Sequence, residues 1–256
     1  MIRHLTLVVG FVLSVLLNGC SSTQPSKIPL PQGAEGKVTS SNIIVLVNQH
    51  EITPEVERSQ VATAMGGGLI PALIDVAVES SRSKTAEQTI RPVRDALENY
   101  DLGEEFRKAA EQPLSGVSWL RIQRTEIKHE QDPDVLSKLL SSNSEDALIL
   151  INPSYSLSSD LNALKTNAVL MIYPRSATLK SLVPTKDQAD KPAVPLYKNT
   201  VSHVYNLAPP PSDKEAAAIA WSANQGEAIK KALKESVNSL AIQLATGLQS
   251  PSAQDK

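Results

Sequence analysis

Apolar and polar positions along this chain follow three rhythms: unbroken apolar runs, strict alternation and three-to-four spacing. Ser41 to Val47 (SNIIVLV) is a β-branched run too short for a helix, and it predicts a first, buried strand. Thr53-Pro54-Glu55 carries the signature of a helix start, with Thr53 as N-cap, Pro54 at the first position and Glu55 and Glu57 in the first turn. That helix is expected to end at Gly66-Gly67-Gly68. Leu69, Leu73, Val76 and Ala77 share one face of a second, buried helix running to Arg82. Ile90, Val93, Leu97 and Tyr100 place an amphipathic helix over Ala86 to Tyr100, where Pro92 predicts a break or a fresh start. Leu102 to Ala110 follows as helix, Val117 to Ile127 alternates as a strand, and Asp134 to Ser141 forms a short helix.

Ala147 to Ile151 (ALILI) is a continuous aliphatic run, expected as a central strand that Tyr155 to Leu157 prolongs past Pro153. Ser158-Ser159-Asp160 suits a turn, and Leu161 to Tyr173 alternates, so the two segments predict a long antiparallel hairpin. A charged, proline-rich loop is expected from Pro174 to Pro195, mobile by composition, and Pro195 to Leu207 alternates as a third strand of a meander. At the end, Ser212 and Glu215 form a capping box, and Ile229, Leu233, Val237, Leu240, Leu244 and Leu248 make one apolar stripe. The fold class is therefore α/β (α+β). It has a mixed sheet of about five strands with a three-strand antiparallel meander, helices packed on it and a long C-terminal helix.

The N-terminus follows a different logic. Arg3 precedes an apolar run from Leu5 to Leu17, then Asn18-Gly19-Cys20, which are the three parts of a secretory signal. The run is shorter than the roughly 20 residues needed to cross a bilayer core of about 30 Å, so a cleaved signal is expected rather than an anchor helix. Leu17-Asn18-Gly19-Cys20 resembles the bacterial lipobox. That resemblance implies a thioether-linked diacylglycerol on Cys20, cleavage before it and acylation of the new N-terminus. Each buried methylene contributes about 0.8 kcal/mol, so two or three chains hold where one holds only marginally. In the Gram-negative lipoproteins this resembles, Ser at the position of Ser21 permits export to the outer membrane, where Asp would retain the protein in the inner one. The expected layout is a signal peptide over 1–19, lipidated Cys20 and a flexible Ser/Pro/Gly tether over 20–40, one periplasmic domain over 41–248 and a polar tail over 249–256.

Aromatics make up only 4% of the chain, so its core must be aliphatic. A formal charge of −2, without a basic block, argues against a nucleic-acid partner. Cys20 is the single cysteine, which rules out an intramolecular disulfide. The order of elements is similar to that of periplasmic envelope lipoproteins of the TolB N-terminal or curli-secretion type, including activators of cell-wall synthases. No motif beyond residues 17–20 carries that likeness, so it transfers no functional residue.

Candidate chemistry is sparse. His50 follows the first strand, where open α/β sheets often place ligands, and the Gly66-Gly67-Gly68 loop is a weak phosphate cradle without the Lys and Ser/Thr of a P-loop. Tyr197 or Tyr205 completes that candidate pocket. His129-Glu130-Gln131-Asp132 lacks a metal-site spacing, His203 alternates on a strand, and no Gly-x-Ser-x-Gly elbow occurs. Neither a cofactor nor a metal nor a catalytic set is expected. The function this supports is a non-catalytic binding or envelope-assembly accessory protein, membrane-held through Cys20, with an envelope protein or another copy of itself as partner. The alternative is a small-molecule-binding protein or enzyme with its pocket near His50 and Gly66–Gly68.

Overall fold

The computed structural model describes residues 27–49, 51–55, 84–129, 135–141, 145–183 and 194–249. In chain order these form β1 (Ser41–Leu46), β2 (Thr53–Pro54), α1 (84–97), α2 (Leu102–Ser115), β3 (Ile122–Lys128) and α3 (Val135–Ser141). Then follow β4 (Ala147–Leu157), β5 (Ala163–Pro174), α4 (Ala177–Lys180), β6 (Tyr197–Asn206) and α5 (Lys214–Gln249). The strands make one mixed sheet in the order β3-β1-β4-β5-β6, with β2 also on β4. β3, β1 and β4 run parallel, whereas β4, β5 and β6 form the antiparallel meander. The α/β class and the meander are as the periodicity predicts.

Alternation along the strands divides the apolar side chains between two cores. Ile43, Val45, Ile149, Ile151, Leu170 and Ile172 point to one face, where α1, α2 and α5 bury Ile90, Val93, Phe106, Leu114, Leu233 and Leu240 against them. Ile44, Leu46, Leu148, Leu150 and Tyr173 point to the other, which α3 covers with Leu136, Leu139 and Leu140. All of β1 is therefore buried, which explains why its sequence is a run instead of an alternation.

β4 is eleven residues long, and β1 pairs only with its first half, Ala147 to Ile151. β2 pairs with its end, at Ser156 and Leu157. Between them the Gln49 side chain stands in for a strand. Its Oε1 accepts from the Tyr155 N–H at 2.9 Å, and its Nε2 donates to the Tyr155 carbonyl at 2.6 Å and to that of Glu51 at 2.7 Å. A primary amide has one acceptor and two donors, as a peptide ladder needs here.

Several sequence expectations are corrected. Thr53-Pro54 starts no helix at that point: it pairs with β4, and the Glu55 N–H continues to the Leu157 carbonyl at 2.8 Å. Residues 27–40 are not a tether. Leu30, Ala34 and Val38 are buried in the main core, and Ile28 bridges to Lys198 of β6. Pro92 does not break α1, because it lies on the exposed face, where water can satisfy the carbonyl left free. Val117 to Leu120 is not strand. A 3₁₀ turn and left-handed Arg121 (φ 50°) bring Trp119 to α5, where its indole donates to the Leu248 carbonyl at 2.9 Å. Tyr197 donates to the neighbouring Gly247 carbonyl at 3.3 Å, so the two aromatics satisfy the last turn of the helix. At the other end of α5 the cap is Asp213, accepting from Ala216 N–H at 2.8 Å, while Ser212 bonds Asp213. Non-helical residues Ala223 to Gly226 divide α5 in two. Gly226 (φ 76°) is needed there twice over, since a Cβ would also meet the Ala96 Cβ of α1 at 2.8 Å. The helices expected between Pro54 and Arg82, with their Gly66–Gly68 turn, lie outside the described residues.

Asp146 ties the N-terminal segment to the sheet. Its Oδ2 accepts from both the backbone N–H (3.0 Å) and the hydroxyl of Thr39, and its own N–H donates to Ser40. The Thr39 hydroxyl, foremost, holds this carboxyl below the usual Asp range, with Ser176 and backbone N–H groups assisting. A folded pKa below the unfolded one contributes stability that is present above the unfolded value, about 3.9, and is lost as pH falls through the folded value. Asp146→Asn is thus expected to flatten the acid limb of the stability curve between about pH 5 and pH 3, measured by urea unfolding at each pH. Replacing Gln49 by Ala leaves the Tyr155 peptide groups unpaired, and urea unfolding should show a loss of about 2 kcal/mol.

Candidate functional site

His50 and Gly66–Gly68 lie outside the described residues, as do Cys20 and Glu130 to Asp132. The chain just after position 50 nevertheless borders a cleft. Where β1 ends, Glu51 and Ile52 turn against the last turns of α1, and β4 supplies Tyr155. Together with Arg94, Asp95, Leu97, Glu98 and Tyr100 they enclose about 380 Å³.

Arg94 organises this cleft. Its Nε donates to the Ile52 carbonyl at 3.0 Å and lies 3.2 Å from Glu51, and its Nη2 pairs with Glu87. One cation therefore faces Glu51, Asp95 and Glu98 on the lining, and the balance is acidic. Such a wall repels anions and suits a cationic group.

The two phenols of the cleft are not poised as bases. Burial, then the Glu105 charge, pushes the Tyr100 hydroxyl far above the ordinary tyrosine range. Burial and the Glu51 charge raise Tyr155 likewise. Both remain protonated donors at any physiological pH. The Tyr100 oxygen is buried and has no hydrogen-bond partner among the described residues.

The structure does not bring Tyr197 or Tyr205 to this cleft. Both sit on β6, two strands beyond β4. Tyr197 caps α5, and the Tyr205 ring lies 6.3 Å from that of Trp221 at a tilt of 55°. His203 is half-buried on the same strand, and its carbonyl accepts from Thr166. The His129 imidazole lies 4.0 Å from Asp101, which itself caps α2 by accepting from the Glu104 N–H at 3.0 Å. No three His, Cys, Asp or Glu side chains converge on a possible metal site among the described residues. A second groove, of about 300 Å³, runs between α2 and β3 past Arg107, Glu111, Gln123 and Thr125. Arg107 is occupied there by Glu104, at 3.0 Å.

Sequence reading pointed to the end of β1 but missed Arg94, Tyr100 and Tyr155. The available signal was Arg94 beside Val93 and three residues before Leu97, a cation next to the buried stripe of a helix.

The chain matches no protein-family model and no curated protein. Among solved structures it is similar to the PelC dodecamer from Paraburkholderia phytofirmans. The identity is 7% and the TM-score 0.31, over 81% of this chain and 89% of that one. A likeness at that level carries no argument about function.

Because the buried Tyr100 hydroxyl has no partner among the described residues, Tyr100→Phe is expected to leave stability unchanged or to raise it by up to about 1 kcal/mol, read from urea unfolding. A loss larger than that would mean the hydroxyl has a partner.

Proposed function

We propose that this chain is an outer-membrane lipoprotein, anchored through acylated Cys20, whose periplasmic domain is a non-catalytic binding or envelope-assembly accessory. The observation that carries the reading is Leu17-Asn18-Gly19-Cys20 closing the apolar run of residues 5–17, with Ser21 and Ser22 next.

Two features of the fold support a binding role. The outer edges of β3 and β6 carry no further strand among the described residues, apart from the Ile28 bridge at Lys198. An extended segment of a partner can add to such an edge through main-chain hydrogen bonds. The packed segment from Lys27 also sets the distance from the membrane. Six residues separate Cys20 from Lys27, and so short a stretch spans at most about 25 Å. The corner where Ile28 meets β6 would therefore stay close to the headgroups.

The alternative, a small-molecule site near His50, has one observation in its favour, the 380 Å³ acidic cleft beside Glu51. Its lining lacks a nucleophile–base pair among the described residues, so it supports binding better than reaction.

Labelling cells with a palmitate analogue should mark the wild-type protein in the outer-membrane fraction and leave Cys20→Ala unlabelled. Crosslinking in the same cells should trap one specific partner or a homo-oligomer. Label on the Ala variant would overturn the anchor, and recovery of monomer alone would overturn the binding role.

A further inference from the structure

β6 closes one side of the sheet, and a single bridge shows how its outer edge can be used. Ile28 and Lys198 exchange both main-chain hydrogen bonds. The Ile28 N–H donates to the Lys198 carbonyl at 2.9 Å, and the Lys198 N–H to the Ile28 carbonyl at 3.0 Å. That is the hydrogen-bonded pair of an antiparallel ladder, and it fixes a register. The odd-numbered residues of this stretch turn their peptide groups to β5, as the Leu207 N–H does in donating to the Asn162 carbonyl at 2.9 Å. The peptide groups of Lys198, Ser202 and Val204 therefore point outward, and beyond Lys198 no strand covers them among the described residues. From α5 the Gln243 Nε2 lies 3.5 Å from the Ser202 carbonyl, which keeps a second lone pair.

Residues 20–26 lie outside the described residues, but their sequence fits this edge in phase and in length. Counting back from Ile28 sets Ser26 opposite Thr200, Gln24 opposite Ser202, Ser22 opposite Val204 and Cys20 opposite Asn206. The positions whose N–H must donate to β6 are thus Ser26, Gln24 and Ser22, and none of them is proline. Pro25 and Pro29 both take the alternate phase, where the nitrogen points away from β6 and needs no hydrogen. Length agrees as well. Cys20 stands as far before Ile28 as Asn206 stands after Lys198, a run of about 27 Å at the antiparallel rise. The side chains of Thr200, Ser202, Val204 and Asn206 are exposed, so polar Ser and Gln neighbours suit that face.

We infer that residues 20–26 extend the Ile28 bridge into a further antiparallel strand on β6, with Gln24 opposite Ser202. The segment between anchor and domain is then part of the sheet. Acylated Cys20 comes beside Asn206, so that end of β6 faces the headgroups, and the Ile28 corner stands off by no more than the length of the strand. This placement of the acyl chains rests on the lipobox reading, whereas the pairing does not. Pro25, now outermost, offers no N–H to another strand, and the edge left for a partner is that of β3.

The test is disulfide trapping in the mature lipoprotein, purified in neutral detergent and treated with a mild oxidant. Gln24→Cys with Ser202→Cys places the Cα atoms at about 5.5 Å, within disulfide range. Gln24→Cys with Val204→Cys is a diagonal pair at about 7–8 Å. Both β6 positions are exposed. The first pair is expected to close within one chain, at least about tenfold faster than the second. Amide exchange gives a reading without added cysteines. Gln24→Pro removes an N–H aimed at β6 and should speed exchange at Ser202 and Val204 by about tenfold or more. Thr23→Pro removes one that points away and should leave both unchanged. Equal rates for the two cysteine pairs, or no closure, would overturn the strand. Crosslinks only between chains would do so too, by assigning the edge to a second copy. A reactive Cys20 thiol in the wild type would instead overturn the anchor, and the strand would still be judged by amide exchange.

Discussion

The length of β4 governs this fold. Eleven residues of extended chain, most of them buried, carry peptide groups on two sides that must be paired. β5 satisfies one side over the whole length, in register from Ala147–Pro174 to Leu157–Leu164. β1 runs out after Ile151 on the other side. The missing stretch is completed by the Gln49 amide and then by β2, so Gln49, Thr53 and Pro54 are pinned along β4. That pinning brings Glu51 and Ile52 within reach of Arg94 and makes the cleft wall.

The elements legible in the sequence are those whose pattern is fixed by what they bury. β4, β5 and β6 read correctly because a run means two buried faces and an alternation means one. α2 is expected over Leu102 to Ala110 and runs on to Ser115, with Asp101 as its cap and Leu102, Phe106, Ala110 and Leu114 buried. Thr53-Pro54-Glu55 reads wrongly because its competing partner, Leu157, is remote in sequence. Residues 27–40 read wrongly for another reason. Their Ser, Pro and Gly suit a linker, and only the four-residue spacing of Leu30, Ala34 and Val38 betrays a packed segment.

Charge is less legible still. A net value of −2 describes a nearly neutral chain, yet the fold sorts its ions. Glu51, Asp95 and Glu98 gather around one arginine at the cleft, whereas Arg124, Lys128, Lys138 and Arg175 gather beneath α3. The alternation Arg124, Glu126, Lys128 is visible in the sequence, but which face it takes depends on the register with β1.

Arg175 shows why such a group persists in a core. Desolvation lowers its pKa and Arg124 adds repulsion, with only Glu145 opposing them. A buried ion pair of this kind contributes little net stability against a well-packed apolar replacement. Its value lies in what it orders. The guanidinium donates to the Leu139 carbonyl, in the last turn of α3, where a cation also meets the negative end of the helix dipole. α3 spans only seven residues and has few apolar contacts with which to fix its position. One side chain from just beyond the end of β5, bonded to the Leu139 carbonyl and to Glu145, therefore seats the helix on the sheet.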